Sequence, residues 1–216
     1  LPNLKLPKSM KSLEQMIAEL CPEGVPFKKL GEVCEILDSQ RKPITKHLRA
    51  SGIYPYYGAN GIQDYVDNYL FDGTFLLVGE DGSVINKDNT PVLNWACGKI
   101  WVNNHAHVLA EKSDTAKLRF LFFALQRQNV KDIVMGTPPK LNQANLRNIE
   151  IPIPPLPIQE RIVEILDKFT ALTAELQARQ QQYEYYRNHL LSFGGLDNIR
   201  SEVADSQLIT PPIGSY

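Results

Sequence analysis

The sequence predicts an α+β protein: a β-rich mixed globular domain, followed by a long α-helix forming an antiparallel coiled coil with a second chain. Two observations carry that prediction. From residue 27 to about 153, aromatic and β-branched segments alternate with Gly-Asn, Asp-Gly and Glu-Asp-Gly turn signals, as in "YPYYGANGIQDYVDNYLFDGTFLLVGEDGSV". From 159 to 193 the chain then runs without a single Gly or Pro.

Residues 1–26 read as a short helix and linker. In "SMKSLEQMIAEL", Leu13, Ile17 and Leu20 fall at helical spacing, with Ser9 or Ser12 as the cap, and "CPEGVPF" ends the helix. Residues 27–156 form the β-rich domain. Within it "KIWVNNHAHVLA" reads as strand–turn–strand and "AKLRFLFFALQRQ" as a helix with Leu118, Leu121, Phe122 and Leu125 on one face. "MGTPPKLNQANLRNIEIPIPPLPIQ" reads as a proline-broken loop, a helical turn and a last strand.

Residues 157–193 form the long helix. Pro157 suits its first turn, where a missing N–H costs nothing. Ile158, Ile162, Ile165, Phe169, Leu172, Leu176, Tyr183, Tyr186 and Leu190 follow a 4-3 spacing broken only at Arg179, which is a heptad seam. Such a helix spans about 50 Å. No other segment is long enough to cover it, so a second copy of the chain is the simplest partner. Two glycines stop the helix after Phe193, and the tail 194–216 is too poor in apolar residues to form a domain.

Bulk composition narrows the function. At 43% hydrophobic the chain buries a core, yet no apolar run is long enough for a membrane span. The N-terminus lacks the apolar stretch of a secretion signal, and Cys21, Cys34 and Cys97 form no C-x-x-C pair. These features predict a cytoplasmic protein with reduced thiols. A net charge of −1 excludes a strongly basic coat but not a local basic face.

Searches for catalytic patterns fail. The chain has no G-x-x-x-x-G-K-[ST], H-E-x-x-H or G-x-S-x-G motif and no Glu-x-Lys or Asp-x-Lys triplet. "GTPPK" (136–140) lacks the acidic or amide residue and the aromatic of an adenine-methyltransferase loop. His105 and His107 alternate as a metal pair would, or are two loop histidines; two ligands without a third make no site. Asp81 is either a catalytic carboxylate or, far more commonly for Asp-Gly, a turn residue. The residues therefore predict no catalysis, no metal and no cofactor in this chain. Polar loops remain: "RKP" with Lys46, His47 and Arg49, then "YYGANG", "VNNHAH" and "PPKLNQ". Asn and Gln pair with adenine edges, and Arg and Lys with guanine or phosphate.

"YPYYGANGIQDYV…FDGTFLLVGEDGSV", "MGTPPKLNQANLRNIEIPIPPLPIQERIVEILDKF" and "QYEYYRNHLLSF" together resemble the specificity subunit of type I restriction–modification systems. The resemblance extends from residue 9 to 193, and "IPIPPLPIQERIVEILDKF" is its most specific part. It implies a non-catalytic DNA-reading subunit. Its partners would be double-stranded DNA, DNA adenine methyltransferase subunits and a motor-nuclease restriction subunit, with S-adenosylmethionine, Mg and ATP bound only by those partners. The family carries two recognition domains and two long antiparallel helices that act as a ruler; this sequence has one of each, so it resembles a half-subunit that dimerises. "TALTAELQARQQQYEYYR" is similar to the family's central spacer, in which T-A-E-L units repeat. One such unit adds about 6 Å of helix, or about two base pairs.

The DNA readers expected from chemistry and loop position are Arg41, Lys42, Tyr57, Asn60, Asn103, Asn104, Lys140 and Asn142. Tyr57 and Trp101 fit equally well as core aromatics. Two other functions stay open: a coiled-coil scaffold whose β-rich domain binds protein or carbohydrate, and the recognition module of a single-chain restriction–modification enzyme.

Overall fold

The computed structural model describes residues 11–112 and 114–192. In chain order the elements are α1 (Leu13–Leu20), β1 (Phe27–Lys29), α2 (Leu30–Val33), β2 (Cys34–Ile36), β3 (Ser51–Gly58), β4 (Gly61–Val66), β5 (Phe71–Gly79), β6 (Leu93–Val102), β7 (Ala106–Glu111), α3 (Leu118–Leu125), α4 (Gln143–Arg147), β8 (Glu150–Pro152) and α5 (Leu156–Leu191). Ser12 caps α1 in a reciprocal pair: its hydroxyl accepts the Gln15 N–H, and the Gln15 side chain accepts the Ser12 N–H. Ser9 and the tail 194–216 lie outside the described residues.

The main sheet has six strands in the order β2-β7-β5-β6-β3-β4. All neighbours are antiparallel except β3 and β6, which pair in parallel at Tyr56–Trp101 and Tyr57–Val102. A two-stranded sheet of β1 and β8 sets Phe27 opposite Pro152, tying the two ends of the domain together.

Strand β5 explains how the sheet is covered. Leu76 and Val78 join a core built with α2, α3, α4 and β8, whereas Phe75 and Leu77 join a second core with Tyr57, Phe71, Ile100, Val102 and Val108. Both faces of this strand are buried, which is why its sequence reads as a continuous apolar run instead of a strict alternation. On α3 the buried face is Leu118, Phe120, Leu121 and Leu125, with Phe122 only half-buried; the helix is rotated slightly from the face its spacing predicts.

The last helix divides in two. Ile158 is 1% exposed, and Ile162 and Val163 pack against the core of α2–α4. Gln159 is fully buried; its carbonyl accepts the Lys117 N–H, and its nitrogen donates to the Thr115 and Pro154 carbonyls. Among the described residues, one compact unit reaches Glu164 and a second begins at Ile165, so the boundary falls inside α5 and not ahead of it. This shortens the seam drawn from spacing: Ile158 is buried in the protein's own core, and Ile162, half-buried, packs against it.

Beyond Lys168 the described part of α5 is exposed almost throughout, with Phe169, Leu172, Leu176, Tyr183, Tyr186 and Leu190 between 52% and 66% exposed. An i,i+4 pair supports it, Arg179 forking onto Glu175, while the Thr170 and Thr173 hydroxyls each donate at 2.8 Å to the carbonyl four residues back. No helix among the described residues is long and apolar enough to cross a membrane.

Candidate nucleic-acid interface

Four loop segments meet over a buried charge cluster. They are the 38–42 segment, the β3–β4 turn, the segment that follows β5, and the loop leading to α4. At the centre Asp38, only 5% exposed at its side chain, accepts from His107 Nδ1 at 2.6 Å, from Gln143 Nε2 at 2.8 Å and from the Val108 N–H at 3.0 Å. The other ring nitrogen of His107 faces the Leu141 carbonyl at 2.8 Å. Arg41 completes the cluster, donating to Glu80 at 2.6 Å and to the Ala106 carbonyl at 2.7 Å, with Asp38 at 3.4 Å. Lys140 approaches Glu80 at 3.4 Å from the exposed side. Burial pushes the Asp38 carboxyl up, but the His107 hydrogen bond and charge, the Val108 N–H and Gln143 outweigh it and hold the carboxyl below its usual range.

Asp38, Glu80 and His107 bring ligand atoms within 4.8 Å of one another, which is the donor set of a metal site. Here the Arg41 guanidinium lies 2.6 Å from Glu80 and 3.4 Å from Asp38, and the His107 ring is hydrogen-bonded to Asp38, so these donor atoms are engaged with one another and with Arg41. The two histidines do not act as a pair. His107 is buried against Asp38, whereas His105 lies in the turn before β7 with its Nδ1 3.7 Å from Asp81.

Above this cluster lies a cleft of about 350 Å3 lined by Asn60, Gln63, Asp81, Ser83, His105 and Pro138, among others. Its walls are fixed by backbone bonds: Glu80 donates to the His105 carbonyl at 2.8 Å, Gly82 to Pro139 at 3.0 Å, and Leu141 to Glu80 at 2.9 Å. Gly61 turns the β3–β4 hairpin at φ +99°, a conformation that L side chains resist. Asn60 also lines a neighbouring cleft of about 480 Å3, with Asn86, Asp88, Asn94 and Gln126.

The eight expected readers sort by exposure. Lys42, Asn60, Asn104 and Lys140 are exposed. Asn142 is exposed too, but its side-chain oxygen accepts the Asn145 N–H and caps α4. Three lie inward, which corrects a reading made from loop position alone. Arg41 is held in the charge cluster. Tyr57, 8% exposed, packs in the second core, where burial also pushes its hydroxyl up. Asn103, 3% exposed, accepts the His105 N–H and donates to Gln63. Trp101 donates its indole N–H to the Lys42 carbonyl at 2.6 Å, which holds the 38–42 segment against β6. Spacing did not single out Gln63, Ser83 or Asp38. Their common signal is a polar residue beside a turn, too frequent in any sequence to point to a site.

Comparison with known proteins gives a consistent result. The family described as "Type I restriction modification DNA specificity domain" matches residues 22–184. A putative type I restriction enzyme specificity subunit of Haemophilus influenzae is 44% identical over 188 residues, covering 81% of this chain and 48% of that protein. A putative type I specificity subunit of Mycoplasma pneumoniae is 30% identical over 175 residues, covering 76% and 46%. The chain thus spans about half the length of these curated relatives. The fold is similar to that in the crystal structure of a type I restriction–modification S subunit from M. genitalium, with a TM-score of 0.58 at 16% identity over 88% of this chain and 48% of that one.

Proposed function

The chain belongs to the type I restriction–modification DNA specificity family, and from that premise we propose that its globular domain reads one half of a bipartite DNA sequence for methyltransferase and restriction subunits that supply the catalysis. One observation carries the reading. Exposed Lys42 and Lys140 stand on segments tied to the Asp38–Arg41–Glu80–His107 cluster, Asn104 on the β6–β7 turn, where the Ala106 carbonyl accepts from Arg41, and Asn60 on the β3–β4 turn, held by the Asn103–Gln63 and Asn94–Ala59 bonds. Cations to meet phosphate and amides to meet base edges are what sequence-specific duplex binding needs, and a rigid mounting keeps them in register. Mapping adenine methylation in cells that carry this chain with its methyltransferase subunits tests the proposal. A defined motif is expected; methylation without a motif, or none, would sink it.

We further propose that the exposed stretch of α5 pairs antiparallel with the same helix of a second copy, through Ile165, Phe169, Leu172, Leu176, Tyr183, Tyr186 and Leu190. Single apolar residues on a surface need no explanation, but a row at 4-3 spacing along one helix does. The symmetric pair would read two inverted half-sites, and the "TALTAEL" stretch would set the distance between them. Replacing Phe169 and Leu172 with Asp should convert a dimer to a monomer in sedimentation velocity. A dimer that survives both changes would remove the seam from the interface.

A further inference from the structure

We propose that the cleft between the β3–β4 turn and the segment after β5 recognises a base through its exocyclic amino group, with Asp81 as the acceptor and Gln63 as a neighbouring donor. The assignment rests on the DNA-reading proposal above and adds to it the chemistry of one base position.

Asp81 is mounted without slack. Its own N–H and that of Glu80 both point to the His105 carbonyl, Gly82 donates to Pro139, and Asp81 pairs with Lys140 as an isolated β-bridge. Neighbouring carboxylates take opposite directions. Glu80, 13% exposed at its side chain, turns inward to Arg41, while Asp81, 29% exposed, lines the cleft beside His105. A carboxylate repels phosphate, so on a DNA-facing surface it is useful only against a hydrogen-bond donor. In the major groove the only base donors are the amino groups of adenine and cytosine; guanine and thymine present acceptors there and would be rejected.

Gln63 supplies the second contact. Its side-chain oxygen accepts from Asn103 Nδ2 at 3.3 Å, and Asn103 is itself locked by accepting the His105 N–H at 2.8 Å. The carboxamide lies over Gly58, where an added Cβ would collide with it. This chain of bonds fixes which end of the amide accepts and leaves its nitrogen as a donor. An acceptor beside a donor matches the N6 amino group and N7 of adenine, whereas cytosine satisfies only the acceptor. The buried Asn103 is therefore a positioning residue that sets the orientation of Gln63.

The test uses the assembled methyltransferase complex with the full chain, read by methylome mapping and by competition binding against duplexes changed one base pair at a time. In Asp81→Asn, discrimination at a single position should fall about ten- to a hundredfold, and an adenine or cytosine there should give way to all four bases. Gln63→Ala should weaken discrimination at that same base pair, and more when the base is adenine than when it is cytosine. Asn103→Ala should reproduce the Gln63→Ala pattern. Discrimination unchanged at every position in both cleft variants, or lowered equally at all positions, would overturn the assignment. A wild-type complex with no motif would instead overturn the DNA-reading proposal beneath it.

Discussion

The root and the shaft of α5 share one apolar period and meet opposite surroundings. Ile158 and Ile162 begin the 4-3 series and pack into the globular domain, Ile158 buried and Ile162 half-buried; Phe169, Leu172 and Leu176 continue it and are more than half exposed. A heptad pattern thus states that one side of a helix needs covering but not what covers it. The domain takes the first turns for itself, and that anchors the helix. Gln159 strengthens the anchor because its side-chain carbonyl accepts the N–H of Lys117, the residue that opens α3 and whose own side chain makes no cap bond.

The most severe way to break this comparison is to make one substitution at both places. Ile158→Asp buries an unpaired carboxylate and should cost more than about 4 kcal/mol, enough to unfold the domain. Leu172→Asp should leave the melting of the domain within about 0.5 kcal/mol of wild type while abolishing self-association. Circular dichroism melts and sedimentation on the two variants decide it; equal destabilisation would mean that root and shaft are not distinct. A smaller effect sharpens the same contrast. Gln159→Ala strands a buried N–H and two carbonyls and should cost about 2–3 kcal/mol, whereas Gln180→Ala on the exposed shaft should stay within about 0.5 kcal/mol.

The same logic marks how much was legible in advance. Helix existence, the turn-rich sheet and the family all follow from local patterns: the run without Gly or Pro, the Gly-Asn and Asp-Gly turns, and "IPIPPLPIQERIVEILDKF". The allocation of polar residues does not. Arg41 and Lys42 are adjacent and alike in sequence, yet Arg41 joins a buried cluster with Glu80 and His107, distant along the chain, while Lys42 faces solvent. That difference arises from the pairing of β2 with β7 and of β5 with β7, which no local spacing encodes. Asn103 and Gln63 are the same case: two amides whose roles separate only once their strands are brought together.

The buried cluster also has a pH signature. The Asp38 carboxyl is held below its unfolded value, which lies near 3.9. Its ionised form is favoured by folding, so its contribution is complete above about pH 4 and is lost as pH falls through the lower folded value. Exposed Asp88, held low chiefly by the Thr90 hydroxyl and N–H, offers the contrast. Melting temperature followed from pH 6 to pH 2 should fall more steeply in wild type than in Asp38→Asn below pH 4, while Asp88→Asn should track wild type closely. Parallel curves for wild type and Asp38→Asn would remove the cluster from the acid response.

The mildest contrast lies between two cysteines. Burial pushes the Cys34 thiol up to about 12, and its Sγ donates to the Leu30 carbonyl at 3.2 Å, so thiolate is scarce at neutral pH. Cys97 is exposed on β6. At pH 8 iodoacetamide should label Cys97 within minutes and leave Cys34 untouched until the domain unfolds. Because Cys34 sits in the same core as Ile151, Ile153 and the inward side of the helix root, its labelling rate reports the opening of that core. Ile158→Ala should accelerate it, and Leu172→Ala should not. Acceleration by Leu172→Ala would mean that covering the shaft helps to hold the core shut, and the division between root and shaft would then be one of degree.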